Sequence, residues 1–126
     1  MDTTIELTSE IEQALNGMRA TMSDVPPAIM KAVTADARMV SEQVRSSAFA
    51  MPPAEGALST ETRTLIYLAV ALATSNAACT RAMVNKARVQ SIASEKLLEA
   101  LHIARFAMAT RVVGDAEPVY DLINER

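Results

Sequence analysis

The stretch "STETRTLIYLAVALATSNAACTRAMVNKARVQ", Ser59 to Gln90, decides the fold. Ser59 is a helix N-cap by residue type, and Thr60 to Arg63 form a polar first turn. The run "LIYLAVALA", Leu65 to Ala73, is then apolar on every side. A helix with no polar face is buried all round. In a small protein that takes either a partner subunit or a tight ring of other helices. A second helix starts near Ala77 and runs to about Gln90, with Asn76 available as its cap. It carries the only cysteine, Cys79, with Asn76 three positions before it and Met83 four positions after it. Positions 76, 79 and 83 therefore share one helix face.

Downstream, "SIAS" is a turn, with Ser94 as N-cap and Glu95 in a first turn where negative charge favours the helix dipole. The next helix is expected over Glu95–Val113, ending at Gly114. Leu97, Leu98, Leu101, Ala104 and Met108 make one stripe, and Ile103, Phe106 and Ala107 a second. Two apolar strips predict packing on two sides, one of them suited to a neighbouring subunit. Pro118 opens a short last helix. Upstream, "MPPAEGA", Met51 to Ala57, is the clearest loop. Before it, one helix is expected from Pro26 and Pro27 to about Ala48, with Ile29, Val33, Ala37, Val40, Val44 and Ala48 in a single stripe. The first helix is expected over Glu10–Thr21, capped by Ser9. Six helices result, with no strand required and no internal repeat.

The chain has 126 residues, half of them apolar, which fits one domain spanning 1–126 with a motif-bearing core at about 57–113. Methionine is abundant, aromatics are few and tryptophan is absent, a composition that suits closely packed helices and is poor material for a sheet. The net charge is −3, with no basic block and few stacking rings, so no nucleic-acid partner is expected. One cysteine forms no internal disulfide, which fits a reducing compartment. The N-terminus "MDTTIELTSE" lacks the basic-then-apolar layout of a signal peptide. The longest apolar run falls far short of the roughly 20 residues that a membrane span needs. The expectation is a cytoplasmic protein with no membrane partner.

The segment from Ala57 to Leu101 resembles the carboxymuconolactone decarboxylase and alkylhydroperoxidase D-like family. The redox branch of that family carries C-x-x-C-x-x-x-H at the start of a helix, with a glutamate twelve positions before the first cysteine. Laid onto this chain without a gap, Thr64 falls at the glutamate, Asn76 at the first cysteine, Cys79 at the second and Met83 at the histidine. The glycine that usually follows this helix falls at Ser91. The resemblance implies an all-α, alkylhydroperoxidase D-like helical domain that assembles as a homo-oligomer, a trimer or a hexamer. It also implies thiol-dependent hydroperoxide reduction (peroxiredoxin-type activity), or decarboxylation or isomerisation of a small carboxylic acid lactone.

Each substituted group has a chemical job. A peroxidatic thiol must ionise, and a histidine one turn away, backed by a carboxylate, removes its proton. Met83 and Thr64 cannot do this near neutral pH. A resolving thiol closes the cycle as a disulfide, which Asn76 cannot do. Cys79 is thus a catalytic candidate for a one-cysteine cycle, or a small buried hydrophobe. Thr64, Asn76 and Met83 are candidate pocket-lining residues; Asn76 is equally a helix cap, and Met83 equally core filling. His102, the only histidine, is the candidate substitute base, or else a surface or interface residue. Arg63, Arg81, Arg105 and Arg111 are candidate anion-binding groups, or partners in surface and intersubunit ion pairs. One histidine and one cysteine do not make a metal site by themselves, and no cofactor is read from the chain. Two functions follow: a family-type enzyme, or a non-catalytic helical oligomer that binds a small apolar or carboxylate ligand or serves as a scaffold.

Overall fold

The computed structural model describes the backbone of residues 3–126 and side chains from Thr8 onward. Met1 and Asp2, which the single-domain reading of 1–126 includes, lie outside the described residues. The described chain is all-helical, with no strand: α1 (Thr3–Met22), α2 (Pro27–Ala35), α3 (Ala37–Ala50), α4 (Thr60–Ala73), α5 (Ala77–Val89), α6 (Ser94–Asp115) and α7 (Glu117–Asn124).

The long helix expected from Pro26 to Ala48 is two helices. Asp36 interrupts it with extended backbone, and its carboxylate accepts a hydrogen bond from the Met39 N–H, capping α3. A short acidic side chain competes with the helix for backbone donors in this way, and the apolar stripe did not register it. Other ends moved too. Nothing between Thr3 and Thr8 breaks a helix, so Ser9 lies inside α1 and caps nothing. Ser94 is the first residue of α6, preceded by Ala93, which makes no side-chain cap. Gly114 does not end α6, which continues to Asp115. The break comes from Pro118 in the first turn of α7, because a proline ring cannot follow a helical carbonyl four residues back. The expected caps at Ser59 and Asn76 both form.

α4 and α5 form an antiparallel hairpin, and α4 packs also on α6, while α1 packs on α5 and α3. Ser75 turns the hairpin and Ser91 ends α5, both in the left-handed region with φ of 56° and 54°. In each case the next amide reaches back five residues, Asn76 to the Ala71 carbonyl and Ile92 to the Ala87 carbonyl, which closes a Schellman turn. A side chain in this region costs about 1 kcal/mol. At Ser91 the buried Ile92 holds the turn closed. The core is built from Ile11, Val40, Leu68, Ala71, Met83, Ala87 and Ala104, and the three alanines let the helices approach closely. Glu10 of α1 ties the base of the bundle to α3 by accepting a 3.0 Å hydrogen bond from the buried Ser41.

The apolar surface is large. Ile66 and Val70 of α4 are about half exposed, so one side of the apolar helix is left uncovered by its own chain. Both phenylalanines lie outside, Phe49 at 89% and Phe106 at 72% exposure. On α6 only Ala104 is buried; Ile103, Met108, Val112 and Val113 face outward. The accessible surface is 9156 Å², against about 6,500 Å² for a compact monomer of this mass. No described helix is long and apolar enough to cross a membrane.

Candidate functional site

The site is the N-terminal turn of α5 and the face of α4 opposite it. Asn76 accepts a 3.1 Å hydrogen bond from the Cys79 N–H through its side-chain oxygen, which fixes it as the cap of α5. That bond also seats Cys79 in the first turn. Cys79 is half-buried, and its Sγ lies 3.2 Å from the Tyr67 hydroxyl, a hydrogen bond that either group can donate. Thr64 is fully buried one turn earlier on α4, and its hydroxyl donates to the Thr60 carbonyl at 3.1 Å. Met83, at 6% exposure, lies in the core of the hairpin one turn after Cys79. His102 sits on the exposed side of α6, and no hydrogen bond joins it to Cys79 among the described residues. The structure thus joins Asn76 and Cys79, buries Thr64 and Met83 on the two facing helices, and leaves His102 at the surface.

Two residues belong here that the sequence reading passed over. Tyr67 counted only as part of an apolar run. Its hydroxyl was the signal, since it is the one ionisable group in Leu65–Ala73 and lies on the helix antiparallel to Cys79. The Cys79 hydrogen bond raises its pKa above the ordinary phenol value, with burial and the charge of an ionised Cys79 adding in the same direction. The neutral phenol is therefore the form that the fold favours. Its contribution to stability is complete below the unfolded value of about 10 and fades as pH rises through the higher folded value. In a Tyr120→Phe background, the phenolate absorbance should appear above the ordinary pH, and Cys79→Ala should move it back down. An unmoved titration would mean that the contact is not made in solution.

The second residue is Lys86, two turns beyond Cys79 on α5 and half-buried. Burial lowers its pKa first, and the charge of Arg63 lowers it further. Arg63 itself donates through Nη1 to the carbonyls of Pro52 at 2.6 Å and Ala54 at 2.9 Å, which fastens the Met51–Leu58 loop onto α4. Arg111 pairs with Asp115 on α6, while Arg81 is exposed on α5. A shallow, open concavity of about 750 Å³ is lined by Ser75, Arg105, Met108, Arg111, Val112 and Asp115, among others. Cys79, Thr64 and Met83 are not part of it, so it belongs to the exposed α6 surface and not to the thiol. No cluster of three or more metal-ligating side chains occurs among the described residues.

These features define a class, that of all-helical proteins whose thiol stands in the capped first turn of the second helix of an antiparallel hairpin. The family follows from the sequence match: the chain belongs to the carboxymuconolactone decarboxylase family, whose model matches residues 40–119. That range runs from α3 into α7 and contains the whole hairpin. A search of curated proteins returns no match.

Proposed function

We propose that this chain is an oligomeric member of the family that binds a small molecule or serves as a scaffold, with little or no peroxidase activity. The observation that carries the reading is the surroundings of Cys79: its side-chain hydrogen-bond partner is a phenol, neither a histidine nor a carboxylate. A phenol, whose ordinary pKa is about 10, is not a base near neutral pH. Thr64 and Met83 supply no proton acceptor, and the Asn76 oxygen is occupied by the α5 cap. A sulfenic acid at Cys79 has no second thiol in the chain to resolve it. The oligomer is supported by surface area. The excess over a compact monomer is roughly 2,600 Å² per chain, more than the about 800 Å² per partner of a standard interface. Assembly as a ring of three or six copies would cover the open sides of α4 and α6.

The test is a single-turnover reaction. Cys79 in the folded protein should react with hydrogen peroxide at the rate of an ordinary free thiol, followed by mass spectrometry of the oxidised residue. A rate faster by about two to four orders of magnitude, the range that a positioned base supplies, would defeat the reading.

A further inference from the structure

Arg63 of α4 and Lys86 of α5 are two half-buried cations on packed helices of the hairpin. The hairpin runs antiparallel, with Tyr67 meeting Cys79 near its turn, so the Arg63 end of α4 lies beside the Lys86 end of α5. Both side chains are half-buried. Neither is in an ion pair with a carboxylate among the described residues. The acidic residues nearest Arg63 in sequence are engaged elsewhere: Glu61 pairs with Lys96, and Glu55 accepts from the amide and hydroxyl of Thr60. Arg63 is held by carbonyls alone, and these fix its position without neutralising its charge. Gly56 closes the loop side, where an added Cβ would fall 2.7 Å from Nη2. A guanidinium pinned through one nitrogen keeps other donors free, and its planar fork suits oxyanions. Two like charges brought together in partial burial repel one another, and an anion between them removes that repulsion.

We propose that Arg63 and Lys86 form a binding site for a doubly charged oxyanion group, with phosphate as its simplest form and a dicarboxylate as the other source of the same chemistry. The charge match favours a dianion over a monoanion, since neither cation is ion-paired among the described residues. This deepens the ligand-binding reading above and rests on it only for the idea that the hairpin takes a small ligand. The redox behaviour of Cys79 is not involved.

The experiment is an amide-resolved NMR titration of the full chain with inorganic phosphate near pH 7.5, at ionic strength held constant with chloride. A parallel arm uses malonate and a control arm uses acetate. Saturable shifts centred on the Arg63 turn of α4 and the Lys86 turn of α5 are expected with the dianions, at least about tenfold weaker with acetate. Lys86→Gln should weaken phosphate binding about tenfold to a hundredfold, the loss expected of one charge-assisted hydrogen bond. Gly56→Ala, which crowds the guanidinium, should weaken it as well, and each variant's spectrum reports whether it has folded. Saturation by phosphate alone or by malonate alone identifies which source fits. Shifts that do not saturate, that acetate reproduces, or that survive Lys86→Gln unchanged overturn the proposal. Its failure beside a sluggish Cys79 leaves the non-peroxidatic reading standing, so the two are separable.

Discussion

Thr64→Glu, Asn76→Cys and Met83→His, introduced together, are expected to create thiol-dependent hydroperoxide turnover about two to four orders of magnitude above the unmodified protein. The scaffold for it is in place. Cys79 already stands in a capped first turn, and Asn76 precedes it on the same face. Thr64 and Met83 are buried on the two helices that pack against each other, so a carboxylate and an imidazole introduced there are shielded from solvent. The cost is in stability. Losing the Asn76 cap removes about 1 kcal/mol. A carboxylate at the fully buried Thr64 position is tolerated only where an imidazole partners it. Thr64→Glu alone is therefore expected to destabilise the fold, and none of the three alone to give turnover, because such groups act as a unit. A folded triple variant with no gain, assayed with an organic hydroperoxide and a small dithiol, would mean that the motif positions do not converge as the family alignment places them.

Placing charges on the outer face of α6, by Ile103→Glu with Phe106→Glu, is expected to dissociate the oligomer proposed above. Ile103 is 60% and Phe106 is 72% exposed in the single chain. Burying an aliphatic or aromatic side chain contributes about 1.5–3 kcal/mol, and an unpaired carboxylate in its place costs more. Two such changes should weaken association at least about a hundredfold. Sedimentation velocity at micromolar concentration would then show a smaller species for the variant, with helical content retained. An unmodified protein that sediments as a monomer, or a double variant that assembles as before, would reject the idea that this face is covered by copies of the chain.

Much of the fold was legible in the sequence because its strongest signals are chemical. Ser59 and Asn76 cap helices, as short polar side chains before apolar runs do. The apolar run of α4 pointed to a helix buried all round, whereas within the chain only Thr64, Leu68 and Ala71 are buried and Ile66 and Val70 stay about half exposed. The misplaced boundaries fall where local backbone chemistry, to which periodicity is blind, sets or fails to set a helix end. Asp36 split a continuous stripe by capping α3, and Pro118 displaced the helix end from Gly114.

The site was legible only in part. Spacing along one helix put Asn76, Cys79 and Met83 on a face, because that follows from helical geometry alone. The contacts that determine what Cys79 can do lie across the hairpin. Tyr67 meets the thiol because of the register between α4 and α5, which no single-helix pattern encodes. Arg63 stood among the candidate anion-binding groups, but Lys86 was missed for the same reason: it is an ordinary surface residue type, and only the packing of α4 on α5 brings its turn toward that of Arg63. The exposed place of His102 on α6 likewise depends on how α6 rotates against α4.

The central claim is that Cys79, partnered by a phenol that keeps its proton and lacking a base and a second thiol, does not sustain a peroxidase cycle. Steady-state reduction of an organic hydroperoxide, with excess dithiol, tests it most directly when the unmodified protein is run beside Cys79→Ala. The account predicts that the two proteins give the same rate, equal to the buffer background. Turnover well above background that disappears in Cys79→Ala would contradict it.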